Sequence, residues 1–383
     1  MAKKVLHIVL RDYHDEYSYQ ENLLSQKHKE LGYDVSVITS QLYVNKEKKV
    51  AFHEVKKYRN DFGILVNILQ CNVRSNIKAV FFDQTVGLYQ AIEEVAPEII
   101  FMHNFAYRDV RHVVKYVQTH SNVRLYADCH TDYYNSNYHS FAGRLKALFA
   151  RRQGHILNKV AIKFWGTTPW RSEFMRDVYK LPQDKIETLI MGADESQILN
   201  KDKFAIRNDV RKKYKIPFDA FVVVSGGKID KRKQQNLLLE AVSKMEDQNV
   251  WLILFGTPTD EMKPVVEQYS NCKNIIMPGW MTADETYPLF FASDLAFFPG
   301  THSVLWEQSV ASSLPLVVKR WAGMEHVKVN DNAILLEEVN FETVKSTIQE
   351  LLFTEKYQAM KAGAEKCASQ FFLKEIALKA IEE

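Results

Sequence analysis

Residues 294–318 read DLAFFPGTHSVLWEQSVASSLPLVV, and the architecture can be read outward from this stretch. Leu295–Phe298 is an apolar run short enough for a buried parallel strand. Pro299, Gly300, Thr301 and His302 break it. Leu305, Val310 and Leu314 then surround Glu307 and Gln308 with helical spacing, the small residues Ala311, Ser312 and Ser313 close the helix, and Pro315 opens a second apolar run. Strand, turn, helix, strand is a βαβ unit, which brings a helix N-terminus to the carboxyl edge of a sheet, where anionic ligands bind. Thr301, His302, Ser303 and Glu307 are the candidate contacts at that edge. By spacing alone Glu307 is equally well a solvated helix residue.

Upstream, GGKIDKRKQQNLLLEA (226–241) follows the apolar run Phe221–Val224. Gly226 and Gly227 let backbone come close to a ligand, and Lys228 and Lys233 precede a helix carrying Leu237, Leu238 and Leu239. Cations fixed there would stabilise negative charge developing on a departing diphosphate more than the ground state. Read in isolation, a lysine-rich loop is solvated surface. Val250–Phe255 ends at Gly256, and Asn274–Met277 ends at Pro278 and Gly279, with Trp280 and Met281 next.

The first half repeats the pattern. Val5–Leu10 is a strand, Tyr19–Leu31 a helix ending at Gly32, and Val35–Thr39 a second strand. A G-x-G-x-x-G after the first strand is missing, which argues against an NAD-type site. Glu98–Met102 closes on His103 and Asn104, and Val123–Ala127 closes on Asp128, Cys129, His130, Thr131 and Asp132, so polar residues collect at strand ends. The spacing around His130 suits no standard metal motif. Val160–Thr167 is a further strand, and the charged stretch Asn200–Lys215 reads as the linker and lead-in to the second domain. The expected domains are 1–197 and 198–368, with 369–383 crossing back.

Residues 133–172 contain no acidic residue. Arg144, Lys146, Arg151, Arg152, Lys159, Lys163 and Arg171 alternate with Phe141, Leu145, Leu148, Phe149, Ile156, Leu157 and Val160. Segment 141–163 is thus an amphipathic basic helix or helix pair. It either lies on an anionic bilayer, each basic residue contributing about 1 kcal/mol, or packs its apolar stripe on the core with solvated charges outside. On both readings the basic side attracts anionic lipid or a lipid diphosphate. No nucleic-acid motif accompanies it.

At 383 residues the chain is too long for one ordinary core, and 46% hydrophobic with 25% charged residues is globular composition. A net charge of +3 commits it to no polyanion. Four scattered cysteines without a Cys-x-x-Cys pair suggest neither zinc nor a disulfide framework, and fit a reducing cytoplasm. The N-terminus is too soon charged for a signal peptide.

These motifs resemble the retaining GT-B glycosyltransferases of the large family 4. The resemblance covers nearly the whole chain and is strongest over 226–327. The family carries Gly-Arg-x-x-x-x-Lys, here with Lys228 in place of the arginine and Lys233 retained, and Glu-x7-Glu, here with Glu307 second but Pro299 at the first position. The sugar contact must then come from Thr301, His302 or turn N–H groups. KRWAGMEHV (319–327) resembles the family's Gly-Gly-x-x-Glu loop through Gly323 and Glu325, and Gly192 and Asp194 match the element closing its first domain. YQENLLSQKHKELGYDVSVITS (19–40) resembles polysaccharide-type members, with Asp15 and Glu16 near where those have Gly-Gly.

The resemblance implies two doubly wound, Rossmann-like α/β domains facing across a cleft. It implies a UDP- or GDP-sugar donor on the second, its base held near Gly256, Trp280 and Met281, and a glycan or lipid-linked acceptor on the first. Lys228 and Lys233 would neutralise the diphosphate, Glu307 would bind ribose hydroxyls and His130 would line the reaction centre. It further implies retention without metal or cofactor, bacterial surface-polysaccharide synthesis, and a cytoplasmic enzyme at the inner face of the membrane. The rivals are a sugar-nucleotide epimerase or phosphorylase of the same fold, and a non-catalytic partner subunit, suggested by Pro299.

Overall fold

Short apolar runs bounded by glycine and polar turns form parallel strands when helices cover both faces of a sheet. The computed structural model follows that rule twice. It describes residues 2–15, 19–45, 49–72 and 84–382, so Glu16 lies outside the described residues. The chain divides into unit 1, Met1–Ile190 with Ile376–Glu383, and unit 2, Met191–Glu375.

Unit 1 contains β1 (Lys4–Val9), β2 (Asp34–Ser40), β3 (Leu42–Val44), β4 (Val50–Phe52), β5 (Lys56–Arg59), β6 (Leu65–Leu69), β7 (Ile99–His103), β8 (Arg124–Cys129), β9 (Lys163–Gly166) and β10 (Ile186–Thr188). The main sheet runs β10-β9-β8-β7-β1-β2-β6-β5, parallel except that β5 is antiparallel to β6, while β3 and β4 form a separate hairpin. Leu6, Ile8, Ile100, Met102, Leu125, Ala127 and Phe164 are buried against helices including Leu88–Val95, Val110–Thr119 and Phe141–Leu157. The last helix, Leu373–Ala380, is tied to this unit by Trp165 Nε1–H donating to the Ala380 carbonyl at 3.0 Å.

The basic segment is one helix, Phe141–Leu157, capped by Ser140. Its buried side is made of small groups, Gly143, Ala147, Ala150 and Gly154, with Leu157. The large apolar residues point outward: Phe141 is 79% exposed, Leu145 49% and Leu148 58%. Close packing on the domain therefore uses the small residues, and leaves the large ones beside exposed Arg144, Lys146 and Arg152.

Unit 2 contains β11 (Phe221–Gly226), β12 (Val250–Phe255), β13 (Ile275–Gly279), β14 (Leu295–Phe298), β15 (Leu316–Lys319) and β16 (Ala333–Leu336), all parallel, in the order β13-β12-β11-β14-β15-β16. This is the doubly wound order, which reverses between its first and fourth strands, here β11 and β14.

Two expectations are corrected. The change of unit falls at 190/191 rather than 197/198, because Ala193 N–H donates to the Phe371 carbonyl at 2.9 Å and Asp194 N–H to Tyr287 Oη at 3.1 Å, both in unit 2. The stretch read as a charged linker contains a helix, Lys203–Lys213, capped by Asp202. Its Arg211 is fully buried and donates to the carbonyls of Ala292, Pro217, Phe218 and Ala220 and to Asp294 Oδ2 at 2.8 Å. Asp294 also accepts from Arg207 and from the Val222 N–H. Among the described residues no helix is long and apolar enough to cross a membrane.

Candidate functional site

The reversal between β11 and β14 opens a crevice at their carboxyl ends, the usual ligand position of a doubly wound sheet. Gly226 and Gly227 leave β11, and Pro299, Gly300, Thr301 and His302 leave β14. The two loops are knitted together. A Cβ on Gly300 would lie 2.2 Å from the Arg232 carbonyl oxygen and 2.3 Å from Lys233 Cα, so only glycine permits the approach that lets Thr301 N–H donate to that carbonyl. Gly256, at φ +125°, packs as tightly on Gly227, where a Cβ would come within 1.8 Å of the carbonyl oxygen. Gln235 Nε2–H donates to the Gly226 carbonyl beneath them.

Lys233 joins the loops electrostatically. Asp230 accepts from the Arg232 and Lys233 N–H groups and so shapes a single 3-10 turn, Lys231–Lys233. That turn aims Lys233 Nζ at the carbonyls of Thr301 and His302, both at 2.8 Å. Burial of the ammonium pushes its pKa down to about 8, partly opposed by Asp230. Lys228 is exposed, as is Trp280 at 69%, while Met281 and Ser303 are half-buried.

Glu307 is fully buried in the short helix Leu305–Ala311. Its Oε1 accepts from His302 Nε2 and His326 Nε2, both at 2.8 Å. Burial alone would raise its pKa, but the two imidazoles win and hold the carboxyl at about 2. Its Oε2 is buried without a hydrogen-bond partner among the described residues, as is His326 Nδ1. An ionised, half-satisfied carboxylate in the interior is costly unless something donates to it.

The residue that turns inward from the 319–327 loop is His326. Glu325, the residue the resemblance pointed to, is exposed and paired with Arg320. His326 escaped sequence reading because nothing in its spacing distinguishes it from a surface histidine. The structure thus brings together Gly226, Gly227 and Gly256 in one turn cluster, and Lys233, Thr301, His302 and Glu307 in another. His130 belongs to unit 1, where its Nε2 is 3.4 Å from Asp128 Oδ2. Burial acts against its charged form, yet the Asp128 carboxylate raises its pKa.

Two groups among the described residues bring three would-be metal-ligand atoms within 4.8 Å of one another: Glu21, His103 and His130, and His302, Glu307 and His326. Hydrogen bonds already occupy the central atoms of both. His103 uses its two ring nitrogens on Asp128 and His7, and Glu307 Oε1 takes both facing imidazoles.

Fold and crevice together define a GT-B protein. Solved structures with this fold align over nearly the whole chain: Anabaena Alr3699/HepE in complex with UDP (TM-score 0.69, 16% identity, 99% of this chain and 98% of that one), a glycosyltransferase from Rickettsia africae ESF-5 (0.66, 14%, 99% and 96%), and WaaG, a glycosyltransferase involved in lipopolysaccharide biosynthesis (0.59, 14%, 99% and 98%). More particularly, residues 206–366, most of unit 2, match the family described as glycosyl transferases group 1. The lipopolysaccharide core biosynthesis glycosyltransferase LpsE of Rhizobium meliloti (strain 1021) is 25% identical over 167 residues, 42% of this chain and 48% of that protein. LpsD of the same organism is 25% identical over 123 residues, 31% of this chain and 35% of that protein. The chain thus spans about half the length of the first of these curated relatives and about a third of the second.

Proposed function

We propose that the protein is a retaining glycosyltransferase that moves a hexosyl group from a UDP- or GDP-sugar to a hydroxyl of a glycan or lipid-linked acceptor in bacterial surface-polysaccharide synthesis. The observation that carries this reading is Glu307: a buried, ionised carboxylate with one oxygen unpaired among the described residues, at the strand-order reversal, on the helix after the loop whose carbonyls Lys233 holds. A ribose hydroxyl donates to Glu307 Oε2, and the diphosphate lies toward Lys233, with exposed Lys228 free to swing onto it. As the glycosidic bond breaks, negative charge grows on the leaving phosphate. A cation already fixed there stabilises that charge more than the ground state. The departing phosphate oxygen takes the acceptor's proton while the acceptor oxygen attacks from the same face, so configuration is retained and no enzymic nucleophile is used. With Pro299 in place of an acidic residue, the sugar hydroxyls are left to Thr301, His302 and turn N–H groups. His130, in unit 1, is assigned to the acceptor side of the reaction. Similarity to a structure solved with UDP supports the donor class.

The test is thermal denaturation of the full chain with UDP, GDP and ADP and their common sugars, since a ligand of the folded state raises apparent stability. One nucleotide is expected to raise Tm below pH 8. The effect should shrink as pH rises through about 8, because Lys233, whose free-site pKa is depressed to about 8, loses its proton there. Absence of any shift would sink the reading and favour a non-catalytic partner subunit.

The helix Phe141–Leu157 supports a peripheral membrane contact on the cytoplasmic face. Outward Phe141, Leu145 and Leu148 lie among arginines and lysines with no acidic neighbour along the segment, which suits an anionic lipid surface. The full chain is expected to co-sediment with phosphatidylglycerol vesicles and not with phosphatidylcholine vesicles. Replacing Arg144, Arg151 and Arg152 by glutamine should weaken binding about a hundredfold, at roughly 1 kcal/mol per charge. Equal binding by wild type and variant would overturn this contact.

A further inference from the structure

A line of hydrogen-bonded imidazoles runs through the interior of unit 1. Asp128, at the end of β8, accepts from His103 Nδ1 at 2.8 Å. His103 Nε2 meets His7 Nδ1 at 2.9 Å, and His7 Nε2 meets His28 Nδ1 at 3.0 Å. His28 Nε2 ends the line on the Ala377 carbonyl, at 2.7 Å, in the last helix. All three rings are buried, and His7 stacks on His103 with centroids 5.2 Å apart.

The proton count follows from the two ends. A carbonyl oxygen only accepts. Asp128 also only accepts here: Oδ1 takes the Asn104 N–H at 2.8 Å, and Oδ2 faces both His103 and, at 3.4 Å, His130 Nε2. Four hydrogen bonds strung between two acceptors need four N–H protons, whereas three neutral imidazoles carry three. The remaining proton belongs on one ring. His28 is a poor seat, since burial lowers its pKa to about 4, and burial with two neighbouring imidazoles holds that of His7 well below its ordinary value. His103 is the ring beside the carboxylate.

We infer that His103, His7 and His28 form a buried relay holding one proton beyond three neutral rings, with His103 the imidazolium, and that His103 is thereby a positioning residue for His130. With His103 charged, every bond in the line has one donor and one acceptor: His103 donates from both nitrogens, and His7 and His28 each donate from Nε2. The imidazolium fixes Asp128 as an oriented carboxylate and partly offsets its charge, which moderates the pull of Asp128 on the His130 proton. Glu21 faces His103 and His130 from the first helix, Arg171 acts on His130 from beyond β9, and Tyr33 packs edge-on against His28. The inference deepens the role given to His130 and rests on that reading only for its consequence in turnover.

Nuclear magnetic resonance of the full chain with ¹⁵N-labelled histidine tests it. At pH 8.5, where ordinary histidines are neutral, wild type is expected to show one ring protonated on both nitrogens, absent in His103→Asn, and Nε2–H tautomers for His7 and His28. In His7→Phe the Nε2–H of His103 loses its acceptor. The doubly protonated signal should vanish, leaving a neutral Nδ1–H ring on Asp128. Freed of that cation, Asp128 should move the His130 titration midpoint upward by about one pH unit. Three neutral rings in wild type, or an Nδ1–H tautomer at His7 or His28, would overturn the relay. An unmoved His130 midpoint in a folded His7→Phe would overturn the positioning role. The wild-type spectrum decides the relay even where the variant does not fold. Neither readout needs turnover, so a failed relay leaves the donor-site reading standing, and an inactive transferase leaves the relay measurable.

Discussion

Glu307→Gln is expected to lower nucleotide affinity about ten- to a hundredfold and to destabilise unit 2 by about 1–3 kcal/mol. The first figure is a hydrogen bond to a charged acceptor, worth ~1.5–3 kcal/mol; the second is the loss of the acceptor's charge in two buried hydrogen bonds. An amide offers one carbonyl oxygen to two imidazole N–H groups and turns its NH2 toward the space where Oε2 stood. Its carbonyl oxygen can keep both imidazole bonds, though without the charge that strengthens them, and its NH2 presents a donor to a ribose hydroxyl. Glu307→Ala should abolish binding, since the ribose hydroxyl and both imidazole N–H groups then lose their acceptor. Titration calorimetry with the nucleotide that raises Tm, alongside denaturant melts, separates the two effects. Lowered stability with unchanged affinity would make Glu307 a structural knot between His302 and His326 and remove it from the donor site. Acid should act in the same direction. The folded carboxyl titrates near 2, below its ordinary 4.5, so its stabilisation is complete above pH 4.5 and fades as pH falls toward 2.

The largest loss of stability is expected at Arg211→Ala, about 3–5 kcal/mol, the usual cost of stripping one partner from a buried ion pair. One guanidinium meets four carbonyls and Asp294, three of the carbonyls sharing the two N–H groups of Nη1, and Asp294 in turn holds the Val222 N–H at the start of β11. Losing the cation leaves Asp294 to Arg207 and the Val222 N–H, and strands the Ala292 carbonyl and the carbonyls of the 217–220 turn together. Arg211→Lys should recover only part, because an ammonium has three donors and no planar fork. Urea denaturation of the full chain, followed by a probe in unit 2, measures the difference. A cost below about 1 kcal/mol would mean that the carbonyls find water and that the pair is incidental.

Arg211 also shows where reading the sequence fell short. In RNDVRKKYK (207–215) it is one cation among many, and nothing local says that its neighbours on the helix stay wet while it is buried against residues 292–294, some eighty positions away. The outward apolar side of the basic helix was undecidable for a similar reason. Both faces carry apolar residues, and whether Leu145 and Leu148 or Ala147 and Ala150 turn inward depends on how closely the sheet approaches.

What the sequence determined by itself is the local grammar. Leu295–Phe298 is a strand in the structure with the same bounds, Val250–Phe255 likewise, Gly227, Gly256 and Gly300 stand where backbones meet, and Gly226 lies against the Phe255 ring, because strand length, helical spacing and the need for glycine are properties of a few consecutive residues. Lys233 and Glu307 were singled out through the resemblance, since by spacing alone Glu307 was equally well a solvated helix residue and the lysine loop solvated surface. Tertiary structure alone decided what faces them: His326 against Glu307, Lys233 on the carbonyls of Thr301 and His302, and the line from Asp128 through three histidines to Ala377. Those contacts join residues up to 349 positions apart, and their energies come from desolvation and hydrogen-bond pairing, which exist only once the chain has closed around them.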